Sequence, residues 1–190
     1  MYIALVALLL LQGSLSVLEN EFLQVYKNSA PCATASPSCA ERIVVALGSI
    51  MLGGQKMSRG DVKVFKTGER YSPPQGGEYI EVTMKPVRPQ VKTPSVAMRS
   101  DKARVVYEGE RFFIIDETVQ PGETTIRHSH NPRLLIPLNA ARNTQWVDGR
   151  PETFQDLIPD SIQFLSEPVV HTAKSVGKNP IRNIMIELKP

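Results

Sequence analysis

The chain has only three histidines, and their spacing points to a shared task. His128 and His130 are separated by one residue, Ser129. On a strand, residues i and i+2 point to the same face, so both imidazoles would project into one space. His171 follows a separate apolar strand and a turn at Pro168, from which it could face the pair. Three neutral ring nitrogens suit a divalent transition metal (Fe, Zn, Ni or Cu) and leave coordination positions open for water or substrate. The competing reading is that the rings simply pack in the mouth of a barrel.

Other residue types offer less chemistry. There is no Ser-His-Asp arrangement, no Walker loop and no dinucleotide fingerprint. Tyr71 reads as a pocket filler. Arg133 and Arg142 could contact an anionic substrate but read first as surface arginines. Trp146, beside Asp148-Gly149, reads as packing near a hairpin end, with stacking on a ligand as the alternative.

Histidines alternating on a strand need a sheet to hold them, and the chain supplies one. Its apolar runs are four to eight residues long, rich in Val and Ile, and bounded by turn signals such as Gly53-Gly54, Pro121-Gly122 and Asp148-Gly149. Glu41 to Leu52 has some helical periodicity, but Ile43-Val44-Val45 is β-branched in succession and its counterpart contains Pro137. Both are expected to be strands.

The two halves repeat each other. Glu19 to Tyr26 parallels Glu108 to Ile115, and Arg42 to Leu47 parallels Arg133 to Leu138. Arg59 to Phe65 parallels Pro159 to Leu165, and Tyr79 to Pro86 parallels Asn183 to Pro190. The segment between them is rich in proline and basic residues, which suits a linker. The expected organisation is a leader at 1–16, a first repeat at 17–86, a linker at 87–104 and a second repeat at 105–190.

Gly122-Glu-Thr-Thr-Ile-Arg-His128-Ser-His130 resembles the opening of the first cupin motif: Gly, five residues, His-x-His. The segment from Asp160 to His171 keeps the spacing of the second motif, with Asp160, Ser166 and Pro168 in place of its Gly, Pro and Gly. In the first half, Glu41 and Gly48 fit the end of motif one. Gly60 to Tyr71 follows motif two, with Lys66 for the proline and Tyr71 for the histidine. The resemblance covers nearly all of the chain after Ser16. It implies an all-β fold of two cupin-type jelly-roll barrels, intimately packed, the first having lost its ligands.

Every histidine falls on a motif position, which favours metal ligation by His128, His130 and His171. Cupin sites usually add a glutamate, and none follows His130. The resemblance implies a metal-dependent enzyme acting on a small molecule, with dioxygenase-like chemistry the sharper form. The alternative is a non-catalytic small-ligand-binding or structural barrel.

Composition narrows the setting. Of the 190 residues, 42% are hydrophobic and 22% charged, ordinary values for a globular protein. The net charge of +3 is spread along the chain with no dense basic tract, which argues against a nucleic-acid partner. Tyr2 to Leu11 is an unbroken apolar run followed by a small-x-small pattern at Ser14-Leu15-Ser16, the signature of a signal peptide. It is too short for a stable membrane span, which needs about 20 residues. The expected location is therefore secreted or periplasmic. There Cys32 and Cys39, the only cysteines, would form a small-loop disulfide. A homodimer through sheet edges is a candidate assembly, with the closing strands at Tyr79 to Lys85 and Asn183 to Lys189 as the expected edges.

Overall fold

A computed structural model describes residues 16–31, 39–90 and 99–190, and every helix or strand within them is a strand. The first half contains β1 (Leu18–Glu19), β2 (Leu23–Lys27), β3 (Arg42–Ala46), β4 (Ile50–Leu52), β5 (Gln55–Met57), β6 (Val62–Phe65) and β7 (Tyr79–Met84). The second contains β8 (Ala103–Glu108), β9 (Phe112–Val119), β10 (His128–His130), β11 (Arg133–Pro137) and β12 (Ala141–Val147). It continues with β13 (Thr153–Leu157), β14 (Gln163–Leu165), β15 (Val169–Ser175) and β16 (Ile181–Leu188).

Each half builds a five-stranded antiparallel sheet, and the two sheets have one plan. The first runs β1-β2-β7-β3-β6, and the second, read from its other end, runs β8-β9-β16-β11-β14. The sequence blocks that parallel each other occupy equivalent strands, and the same backbone hydrogen bonds recur. Met84 donates to Glu41 O at 2.9 Å as Leu188 donates to Pro132 O at 2.9 Å. Lys85 to Phe22 O and Lys189 to Arg111 O are both 2.8 Å. Gly60 donates to Ala46 O at 2.8 Å, and Asp160 to Pro137 O at 2.9 Å. That turn requires a left-handed residue: φ is +88° at Gly60 and +60° at Asp160. Aspartate is among the few side chains that tolerate this region, which explains how Asp160 replaces the motif's glycine.

The core lies between the two five-stranded sheets. Alternate residues of β2, β3 and β7 (Leu23, Val25, Ile43, Val45, Ile80, Val82) meet alternate residues of β9, β11 and β16 (Phe112, Ile114, Leu134, Ile136, Ile184, Ile186) in one cluster, nearly all fully buried. Burial of each such side chain stabilises the fold by about 1.5–3 kcal/mol, so the halves are welded rather than tethered. The opposite faces of the two sheets look into separate barrels.

The barrels close differently. In the first half the second layer is, among the described residues, the hairpin β4–β5, tied to Gln75 by an isolated bridge from Met51 in the middle of β4. In the second half it is a four-stranded sheet, β10-β15-β12-β13, which carries all three histidines. The expected dimer edges are corrected by this topology. β7 lies between β2 and β3, and β16 between β11 and β9, so both closing strands are hydrogen-bonded on both sides. The expected leader (apart from Ser16) and Cys32 of the expected disulfide fall outside the described residues. No helix among the described residues is long and apolar enough to cross a membrane.

Candidate metal centre

Strand β10 pairs with β15 in a register that sets His128 directly opposite His171. Because His130 shares a face with His128, all three rings enter the second barrel, where each is at least nine-tenths buried. The Nε2 atoms of His128 and His130 are 3.0 Å apart, and those of His128 and His171 are 3.1 Å apart. The three residues offer ligand atoms that all lie within 4.8 Å of one another.

Each ring is fixed from behind by an oxygen. Nδ1 of His128 lies 2.8 Å from the carbonyl oxygen of Ile126. Nδ1 of His171 lies 3.2 Å from Gln145 Oε1. Nδ1 of His130 lies 2.8 Å from Glu187 Oε2, while Glu187 Oε1 accepts the backbone N–H of Asn131 at 2.7 Å. A proton on each Nδ1 satisfies these oxygens and turns the Nε2 lone pair into the barrel. Lone pairs 3.0–3.1 Å apart repel unless something positive sits among them.

Two of the three rings resist protonation. Burial pulls His171 down to about 3, helped by repulsion from His128 and Arg133. Burial likewise holds His130 well below its ordinary value, with Arg133, His128 and His171 adding to the effect. A metal ion fits: two nitrogens each about 2.1 Å from one ion, at a mutual angle near 90°, are about 3.0 Å apart.

The rings line a cavity of about 590 Å³, within the usual range of about 300–1,000 Å³ for small-molecule sites. Across it, the inner face of β9, β11 and β16 presents Glu117, Arg133, Asn183 and Met185. Arg133 is 7% exposed, which corrects its reading as a surface residue. Burial lowers its guanidinium to about 10, so it remains charged at neutral pH. Burial pushes the Glu187 carboxyl up to about 8, opposed by the Asn131 N–H and the Arg133 charge. Burial also raises Glu117, against the pull of His128.

The remaining candidates lie elsewhere. Arg142 is exposed, pairs with Asp156 at 3.4 Å and lies over Phe154. Trp146 is an exposed residue of β12 and does not line the cavity. Tyr71 fills the first barrel. Glu187, Glu117 and Gln145 are absent from the sequence-based set. For Glu187 and Glu117 a signal existed: each is an acid two residues along a strand from a buried apolar residue on the same face, Met185 and Ile115 respectively.

Two packed jelly-roll barrels in this order are the two-barrel cupin fold, and the chain has that fold. Solved structures with the same architecture include an oxalate decarboxylase from Lactobacillus farciminis in complex with formate. It is 8% identical, with a TM-score of 0.56 over 90% of this chain and 78% of that one. A cupin 2 conserved barrel domain protein from Leptotrichia buccalis is 13% identical, with a TM-score of 0.53 over 92% of this chain and 88% of that one. AerE from Microcystis aeruginosa is 12% identical, with a TM-score of 0.53 over 90% and 89%. No protein-family model and no curated protein matches the sequence.

Proposed function

We propose that the second barrel binds a divalent transition metal through Nε2 of His128, His130 and His171, and that the protein is a metal-dependent enzyme acting on a small molecule outside the cytoplasm. The observation that carries this reading is the arrangement of the nine-tenths-buried rings. Each has its Nδ1 held by an oxygen, and the Nε2 atoms meet at 3.0 and 3.1 Å. Bound there, the metal would act as a Lewis acid on a substrate oxygen or bind dioxygen, the latter being the dioxygenase-like form.

The chain's own residues do the rest. The Ile126 carbonyl, Gln145 and Glu187 keep the tautomer that ligation needs. Glu187 places a buried carboxyl group behind His130, in contact with the ring's outer nitrogen rather than in the position of a ligand. Glu117 is buried on the cavity wall with a raised pKa, suited to holding or passing a proton to a bound molecule. Export is supported by the apolar run Tyr2 to Leu11 and the cleavage pattern after it. N-terminal sequencing of the mature protein tests that part.

Elemental analysis of protein purified without an affinity tag tests the centre. Stoichiometric metal is expected in the wild type, and none in a His128→Ala/His130→Ala variant. If the wild type stays metal-free after incubation with Fe(II), Zn, Ni and Cu, the reading fails.

A further inference from the structure

We propose that the ligand of this barrel is a small hydroxylated carboxylic acid, its carboxylate at Arg133 and its hydroxyl groups at Glu117, Asn143 and Asn183. The inference rests on reading the second barrel as a small-molecule site and deepens that reading by naming the ligand class. It comes from the polar groups that the metal site leaves unused.

Arg133 is a buried charge that lines the cavity. Its one hydrogen bond among the described residues is long, 3.5 Å to the Asn131 carbonyl oxygen, and no described carboxylate is in ion-pair contact with it. Glu187 and Glu117 are close enough to be felt electrostatically but not to be bound. Burying a guanidinium without an ion pair is costly, and a planar carboxylate is the anion its forked donors fit best.

The opposite need exists on both walls of the cavity, at Glu117 and Asn183 beside Arg133 and at Asn143 on β12 in the histidine-bearing sheet. Glu117 Oε1, Asn143 Oδ1 and Asn183 Oδ1 are buried, have no hydrogen-bond partner and belong to cavity-lining residues. The three residues are 8%, 7% and 6% exposed, so solvent does not satisfy them from outside. Asn183 and Glu117 are direct partners across β16 and β9, and the side chains of Asn183 and Ser100 lie close enough to the Glu117 carboxyl to oppose the rise that burial causes. These are acceptors awaiting donors, and ligand hydroxyls are donors of the right kind.

The spacing sets the size of the ligand. Arg133 pairs in register with Glu187, while Asn183 lies two inward positions further along β16, a separation of about 13 Å between backbone positions. The arginine side chain spans part of that distance. Between the two polar ends, Leu135 and Met185 line the cavity. An acid of about six carbons would lay its skeleton over this apolar strip. A plain fatty acid would leave three oxygens unpaired, and a neutral sugar would leave Arg133 unpaired.

Calorimetric titration of the metal-loaded and metal-free protein with D-gluconate, n-hexanoate and D-glucose tests this. Gluconate is expected to bind about tenfold or more tighter than either of the others. Arg133→Met should weaken gluconate about tenfold or more, while Asn143→Ala should weaken gluconate and leave hexanoate unchanged. Should Arg133→Met fail to fold, as judged by its melting curve, Asn143→Ala still decides the matter.

The inference is overturned if hexanoate or glucose binds the wild type as well as gluconate does, if none of the three binds, or if both variants keep wild-type gluconate affinity. The metal reading fails or stands separately. Gluconate preference in a protein that never takes up metal would keep the ligand class and remove the metal. Bound metal with no gluconate preference would do the reverse.

Discussion

Where the second barrel places His171, the first places Tyr71, whose ring stacks on Phe65 at 4.2 Å and whose hydroxyl donates to the Glu81 carboxylate. Arg42 and Arg133 make the comparison sharper, because each is the inward-facing first residue of the equivalent strand. Arg42 is fully buried, donates to the carbonyl oxygens of Glu69 and Lys66, and lies 5.3 Å from the centre of the Tyr71 ring. Arg133 has one long hydrogen bond and a cavity in front of it. One sheet plan thus carries the same residue in two states. In the first barrel protein atoms complete it; in the second the cavity leaves room for the ligand proposed above. The first barrel has its space filled by its own side chains, and among the described residues its second layer is one hairpin.

The largest expected effect follows directly. Substituting His128 and His130 with alanine removes metal altogether, whereas any substitution confined to the first barrel leaves metal content at the wild-type level. Elemental analysis of both sets checks this, and loss of metal on changing Tyr71 would break the comparison.

The shared core makes the opposite statement: the barrels differ in chemistry but are expected to unfold together. Ile43 and Ile186 sit in one cluster, both at 0% exposure. Ile43→Ala and Ile186→Ala are each expected to cost about 2–5 kcal/mol and to lower a single melting transition by similar amounts. Two separated calorimetric transitions, one responding to each substitution, would show that the barrels fold independently.

Glu187→Gln probes a feature that belongs to the second barrel alone. An amide offers one acceptor oxygen where the carboxyl group serves both His130 Nδ1 and the Asn131 N–H. Either the backbone N–H or the imidazole loses its partner. Metal affinity is expected to fall about 10–100-fold, measured by competition with a chelator, while the melting temperature of metal-free protein changes little. An unchanged affinity would mean that ring orientation is set by packing instead.

The sheet plan was legible because alternation and repeat spacing are local: Ile43-Val44-Val45 and Leu134-Leu135-Ile136 show β-branched or apolar runs that only a sheet buries on both faces. The histidine trio was legible for the same reason, since a period of two puts His128 and His130 on one face. The carboxylate behind His130 was not, because Glu187 lies 57 residues away and reaches it only through the pairing of β11 with β16. Arg133 was misread because arginine is mostly exposed, and only the barrel's closure shows that it is enclosed. The dimer edges were misplaced because a strand's rank in sequence does not give its rank in the sheet. β7 and β16 come last in their halves yet sit in the middle.

Tyr71→Phe carries the smallest expected effect and bears most directly on how the first barrel was filled. It keeps the ring that stacks on Phe65 and lies under Arg42, and removes only the hydroxyl that meets the Glu81 carboxylate. If the tyrosine is a structural replacement for a ligand, the loss is that of one hydrogen bond to a charged group, about 1.5–3 kcal/mol in denaturant unfolding, with metal content and ligand affinity in the second barrel unchanged. The shared core could transmit strain from one barrel to the other, and a fall in metal affinity with little change in stability would show that it does. In that case the filled barrel would be a support whose shape the metal centre depends on, and the two repeats could no longer be treated as chemically separate.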